Sequence, residues 1–153
     1  MELCAQADVA FATGHSSPTE SLLMAQAAHD MGFKKCIITH PNALIWKMSP
    51  AQLERAASLG AWIEFCYLGR FWGEDSAMPT YPRQSLQEAT EILRVAPERT
   101  FITTDLGQVG MARPVAGMRQ ARNELLKAGF SAASLKSMPV SYTHLTLPTN
   151  REV

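Results

Sequence analysis

The sequence lacks several features that would assign its class at once. No apolar run approaches the roughly 20 residues of a membrane-spanning helix. Lys and Arg do not cluster in a chain whose formal net charge is zero. The N-terminus has neither the basic start nor the apolar stretch of a signal peptide. We therefore expect a cytoplasmic protein that has neither nucleic acid nor a membrane as its partner.

Cysteine is scarce as well. Cys4, Cys36 and Cys66 are odd in number and form no C-x-x-C pair. We interpret them as buried free thiols in a reducing cytosol. With 153 residues, 46% of them hydrophobic and 18% charged, the chain has an ordinary globular composition and is long enough for one domain with a real core.

What the sequence does contain is a regular alternation of strand-like and helix-like segments. The predicted strands are 8–13, 35–39, 61–67 and 100–104, and the predicted helices begin at Ser17, Ser49, Ser85 and Pro114. This alternation indicates βαβ crossovers and a parallel sheet. Four units fit an open sheet as well as a piece of an eight-stranded barrel. Because polar residues follow three of the four strands, we predict an α/β fold with about four β/α units of a (β/α)8 TIM-type barrel.

Three residues of the types that bind metals follow three of these strands. His15 closes the first strand, His40 the second and Asp105 the fourth. Because the carboxyl ends of parallel strands open onto one face, we expect the three side chains to meet there. Imidazole and carboxylate suit zinc first, and also manganese, iron or nickel. The pattern predicts a metal site in which Asp105 is both a ligand and the general base for a water molecule.

The same residues also allow purely structural interpretations without a metal site. Each histidine taken singly fits a hydrogen-bonded structural residue, and Asp105 fits the N-cap of a following turn. Glu64 shares a strand face with Trp62, so it either orients a metal ligand or forms a buried ion pair.

Other candidates lie in the predicted loops at the same end of the sheet. Gln108 and Arg113 follow Asp105 and are candidate substrate-binding residues, Arg113 for a carboxylate or phosphate. A solvated loop arginine is the alternative. Trp46 and Trp72 are in loops where the aromatic walls of a pocket are expected, and a cover for the rim of the barrel is the alternative.

The strand-end motifs resemble a known family. Ala12-Thr13-Gly14-His15, Thr39-His40-Pro41 and Thr104-Asp105-Leu106-Gly107-Gln108 resemble the later strands of metal-dependent hydrolases of the amidohydrolase superfamily, over about residues 1–138. The resemblance implies a barrel that binds one or two divalent metals. It also implies that the two histidines are the fifth- and sixth-strand ligands, and that the aspartate is the eighth-strand residue that touches the metal and activates water.

The sequence also departs from that family. The superfamily's first strand supplies a His-x-His pair and its fourth usually a bridging Lys or Glu, whereas the four histidines here form no such pair. A complete barrel typically needs about 250 residues. We therefore expect residues 1–138 to be the C-terminal half of such a barrel, with a metal site that is open on one side.

The end of the sequence has a different character. Residues 140–149, Val-Ser-Tyr-Thr-His-Leu-Thr-Leu-Pro-Thr, have no helical or strand period. They resemble the translation of a transposase-type sequencing adapter. We expect residues 139–153 to be a non-native, disordered tail, with a natural disordered C-terminus as the alternative. His144 is accordingly not a ligand candidate.

These observations predict a fragment of a metal-dependent hydrolase that acts on a C–N, C–O or P–O bond of a small molecule and is inactive as truncated. One alternative is a non-catalytic half-barrel that forms homo-oligomers through its edge strands. Another is a decarboxylase or lyase on the same barrel.

Overall fold

The computed structural model describes residues 1–138, and the predicted tail, 139–153, lies outside the described residues. The fold is α/β, as predicted, with four parallel strands in the order β1-β2-β3-β4. The strands are β1 (Phe11–Ala12), β2 (Cys36–Thr39), β3 (Trp62–Cys66) and β4 (Thr100–Thr103). The helices are α1 (Glu2–Gln6), α2 (Pro18–Asp30), α3 (Pro50–Ser58), α4 (Leu86–Leu93) and α5 (Pro114–Lys127). Short 3-10 helices form at Leu44–Trp46, Tyr67–Phe71 and Pro97–Arg99, and residues 132–138 are also helical.

Three of the helices begin with the same local device. Ser17, Ser49 and Ser85 each accept a hydrogen bond from the backbone N–H three residues on, and the Glu or Gln there bonds back to the serine N–H. This capping box satisfies two backbone donors that a helix start leaves free. The helix starts predicted from these serines are therefore confirmed.

The helices pack on one face of the sheet. Ile38 of β2, Phe65 of β3 and Ile102 of β4 belong to one buried cluster that also contains residues of all four longer helices. The helices contribute Ala25 and Ala28, Leu53 and Ala56, Ala89 with Ile92 and Leu93, and Ala121 with Leu125. Each large apolar side chain buried in this way stabilises the fold by about 1.5–3 kcal/mol.

The opposite face of the sheet is built differently. Ile37, Trp62 and Phe101 form a separate small cluster, which in the described part of the chain contains no helix residue. Towards the carboxyl end of this face, the Thr103 hydroxyl donates to Glu64 Oε1 at 3.1 Å. One face of the sheet thus carries the main core and the other carries polar side chains beside a small apolar patch.

The N-terminal region departs most from the sequence prediction. α1 was not predicted, since its N-cap residue, Met1, makes no side-chain cap bond and the helix has only five residues. β1 contains two residues instead of the six predicted for 8–13, because its pairing with β2 is limited to Phe11 with Cys36 and Ala12 with Ile37. Among residues 1–138, no helix is long and apolar enough to cross a membrane.

Candidate functional site

A cavity of about 170 Å³ opens at the carboxyl ends of the strands. His15, His40 and Asp105 all border it, so the structure brings the three predicted ligands to one place. Its remaining wall comes from residues 42–46, which follow β2, and from the segment between Cys66 and Gln84. Trp46 and Trp72 line it, as predicted. Asn42, Met78 and Tyr81 also line it and were not predicted. Met78 and Tyr81 belong to the long loop after β3, whose course has no local signal in the sequence.

The two imidazoles lie side by side in the lining of this cavity. The ring centres of His15 and His40 are 5.6 Å apart. Trp46 stacks on His15 with ring centres 4.5 Å apart and planes 21° apart, and its indole N–H donates to the backbone carbonyl of His40 at 3.1 Å. One tryptophan therefore contacts both histidines and fixes the distance between them.

Two threonines join the strand ends that carry these histidines. The backbone N–H of Gly14 donates to Thr39 Oγ1 at 3.2 Å, and the N–H of Thr39 donates to Thr13 Oγ1 at 3.1 Å. Thr13 is only 7% exposed, so water cannot readily replace its contribution. These reciprocal bonds hold the end of β1 against the end of β2.

A carboxylate stands behind His40. Glu64 Oε2 lies 4.0 Å from His40 Nδ1, both side chains are 16% exposed, and Glu64 is itself held by Thr103. At that separation the pair is close but not hydrogen-bonded, and His40 Nδ1 is a buried atom without a partner among residues 1–138. A metal-binding histidine commonly turns one ring nitrogen to a carboxylate and the other to the ion. The contact fits both interpretations of Glu64, as the residue that orients His40 and as the partner of a buried ion pair.

Both His40 and Asp105 have left-handed backbone. Their φ angles are 47° and 50°, respectively. Proline normally favours extended backbone in the residue before it, and Pro41 follows His40. Such conformations cost about 1–3 kcal/mol and concentrate at functional sites, although Asp and His tolerate them better than most residues. Asp8, far from the cavity, also has positive φ (53°), so the conformation alone does not identify a site.

Asp105 borders the cavity from the β4 side and is exposed. Gln108 Nε2 donates to the backbone carbonyl of Asp105 at 2.8 Å, so it closes the local turn. Arg113 is the exposed N-cap residue of α5 and makes no side-chain cap bond. Within the described chain, neither Gln108 nor Arg113 lines the cavity. Their role in substrate binding stays a prediction.

The thiol in the cavity wall is not a nucleophile at neutral pH. Burial raises the pKa of the Cys66 thiol to about 12, and the negative charges of Asp105 and Glu64 add to the rise. The thiolate is the reactive form of cysteine. Cys36 is also buried, Cys4 is half-buried, and all three cysteines are free.

The donors at the cavity fit a divalent metal in chemistry and in part in spacing. Two imidazoles on one tetrahedral ion have ring centres about 5 Å apart, given Zn–N distances of about 2.0–2.1 Å, and those of His15 and His40 are 5.6 Å apart. Across residues 1–138, however, no three His, Cys, Asp or Glu side chains stand close enough to hold a metal ion. The histidine pair is therefore the candidate ligand set, and Asp105 borders the same space without completing it.

Comparison with known proteins gives one match. Residues 1–64 match a family of unknown function, DUF6282. No curated protein and no solved structure matches the chain. The matched segment contains His15, His40 and Glu64, whereas Asp105 lies beyond it. The match carries no activity with it, so the resemblance to the amidohydrolase superfamily stays a prediction.

Proposed function

We propose that this chain is the C-terminal half of a (β/α)8 metal-dependent hydrolase that acts on a small molecule. The observation that carries the proposal is the meeting of two histidines and an aspartate, from the ends of three different strands, around one cavity. In barrel enzymes the catalytic residues come from the ends of several strands on this side of the sheet.

The arrangement of strands and helices supports a barrel over a doubly wound sheet. The strands follow one another in sequence order, and the helices pack into one cluster on one face. A doubly wound sheet instead reverses its strand order at a switch point and has helices on both faces. Parallel sheets are normally covered on both sides. On the proposal, the face that carries Ile37, Glu64 and Phe101 is the interior of the barrel.

The proposed chemistry is divided among four residues of this chain. His15 and His40 would hold the ion through ring nitrogens, and Glu64 would keep the His40 ring turned towards the cavity. A bound divalent ion would supply polarisation of the scissile bond and lower the pKa of a water molecule to about 7. Asp105 accepts the proton of the attacking water and delivers it to the leaving group.

A zinc titration tests the metal site directly. We expect Zn²⁺ to bind the 153-residue chain, and His40→Asn and His15→Asn each to weaken binding at least tenfold, on the scale of about 10–100-fold that even the supporting residues of metal sites contribute. Asparagine suits position 40 because it tolerates positive φ. Isothermal titration calorimetry with elemental analysis gives the affinity and stoichiometry.

The chain provides its own control for this titration. His29 lies on α2, where its Nδ1 is 3.2 Å from the carbonyl of Leu59, and it does not line the cavity. His29→Asn should leave zinc affinity unchanged. Equal zinc affinities in the wild type and in the His15 and His40 variants would refute the site.

The role of Asp105 needs turnover as its readout. In a longer form of the enzyme that hydrolyses substrate, Asp105→Asn should lower kcat by about 10²–10⁴, the usual contribution of a general base. The variant should fold normally, since asparagine also accepts the left-handed backbone at this position. Full turnover by Asp105→Asn would exclude Asp105 as the base.

A further inference from the structure

The lining of the cavity contains residues of two chemical kinds. His15, His40 and Asp105 contribute imidazole and carboxylate groups, whereas Leu68, Trp72, Met78 and Tyr81 belong to one apolar cluster, which we call the apolar wall. Trp72 and Tyr81 face each other with ring centres 4.9 Å apart and planes 37° apart, and Met78 packs beside them. This is the common plan of a binding site, in which apolar surface supplies affinity and a few polar groups fix orientation.

The size of the cavity matches one ring. Its volume is about 170 Å³, and an apolar protein cavity of about 150 Å³ binds benzene. The wall contains aromatic side chains, and a ligand ring can pack on their faces or edges with about 4.5–7 Å between ring centres. A single planar ring therefore fits better than a long flexible chain.

The charges around the cavity disfavour an ionised ring substituent. No Lys or Arg of the described residues lines it. Two arginines lie in the loop that forms the apolar wall, and both already have partners. Arg70 donates a hydrogen bond to Glu124 at 3.0 Å, and Arg83 donates to Asp75 and to the carbonyl of Trp72. An anionic group on the ring, away from the proposed ion, would lose its hydration without gaining a basic side chain as partner.

The wall is also held in place before any ligand arrives. The Asn42 side chain donates to the carbonyl of Cys66 at 2.7 Å and accepts from its N–H at 3.0 Å. The backbone N–H of Gln84 donates to the carbonyl of Gly69 at 2.9 Å, and a Cβ at Gly69 would lie 3.4 Å from the Gln84 side chain. A preformed wall spares the ligand the cost of ordering it.

From these observations we infer that the substrate carries a single aromatic ring without an anionic substituent beside the bond that is cleaved, and that this ring packs against the wall formed by Leu68, Trp72, Met78 and Tyr81. The inference rests on the proposed function, since it takes His15, His40 and Asp105 as the residues of the reacting site.

Binding of small probes without metal tests the ring site separately from the chemistry. With EDTA present, calorimetry on the 153-residue chain should give benzamide a Kd at least tenfold lower than that of acetamide, which lacks the ring, or benzoate, which is charged. Equal affinity for benzamide and acetamide would overturn the ring site. Benzoate binding as tightly as benzamide would overturn the inference that the ring carries no negatively charged substituent.

Two substitutions locate the site. Met78→Trp should fill the space in front of the wall and weaken benzamide binding at least tenfold. Tyr81→Ala should weaken benzamide binding by removing one aromatic face. Trp62→Leu is the matched control, because Trp62 lies at the amino end of β3, beneath the Arg99 guanidinium and away from the cavity. Unchanged binding in Met78→Trp, or an equal loss in Trp62→Leu, would refute the location.

The two proposals fail in different ways. Loss of the preference for benzamide with zinc binding intact overturns the ring site and leaves the metal site standing. Preference for benzamide without any zinc binding overturns the proposed hydrolase.

Discussion

The two sides of the cavity are held by different kinds of interaction. On the side of β1, β2 and β3, hydrogen bonds between strand ends connect Thr13 with Thr39 and Asn42 with Cys66. On the side of β4, Asp105 is exposed, and the bond from Gln108 to its carbonyl spans only three residues. That turn reaches the core through Leu106, whose side chain occupies the space that a Cβ at Gly117 would need.

These two sets of contacts show which part of the site is preorganised. Ion binding requires ligands fixed within a fraction of an ångström, and the histidine pair has supporting contacts from Trp46, Thr39 and Glu64. The carboxylate that would move a proton is tied mainly to its own turn. We therefore expect substitutions on the histidine side to cost folding free energy, and equivalent ones on the Asp105 side to cost little.

The largest effect is expected at Asn42, which is 4% exposed. Asn42→Ala leaves the N–H and carbonyl of the buried Cys66 without their partner, and each such group costs about 1–3 kcal/mol, so the free energy of unfolding should fall by about 2–6 kcal/mol. Urea unfolding measures the loss. Asn123→Ala, at an exposed position of α5, should change stability by no more than about 0.5 kcal/mol. A loss at Asn42 below about 1 kcal/mol would remove the distinction between the two sides.

A smaller effect is expected where β1 and β2 are joined. Thr13→Val keeps the shape of the side chain but removes the acceptor for the N–H of Thr39, which should cost about 1–3 kcal/mol. The same variant should weaken zinc binding, because it loosens the strand ends that carry His15 and His40. Urea unfolding and zinc calorimetry together report both effects.

The counterpart on the other side is Gln108→Ala, which removes the bond to the carbonyl of Asp105. Because that bond is exposed, its loss should cost less than about 0.5 kcal/mol. If Gln108→Ala destabilised the chain as much as Thr13→Val, both sides of the cavity would be equally fixed and the comparison would be wrong.

The sequence predicted the parts of the fold that depend on short-range signals. The helices that follow Ser17, Ser49 and Ser85 were predictable because capping is decided within four residues. Their ends at Gly32 and Gly60 were predictable too, since those residues adopt φ of 67° and 86°, which favours glycine. The apolar runs predicted where strands form. The length of β1 depends on how many of its residues pair with β2, and no local sequence pattern gives that number.

The three ionisable residues of the site and the two tryptophans of its lining were predictable, whereas the other lining residues were not. His15, His40 and Asp105 follow strands, and parallel strands end on one side, so their meeting at one cavity follows from topology. The apolar wall comes from residues 68–84. Leu68, Met78 and Tyr81 show no periodic pattern there that would predict that they line a cavity. Their convergence depends on long-range bonds, such as those of Asn42 with Cys66, which could not be inferred from spacing.

The left-handed backbone at His40 has a practical consequence for engineering. Glycine accepts φ of 47° without the penalty that a side chain carries there, so His40→Gly should regain part of the folding free energy that loss of the imidazole contacts costs. It also removes one of the two proposed metal ligands. A library at position 40 that is ranked by melting temperature alone would therefore place glycine above most other replacements, and zinc binding has to be screened alongside it.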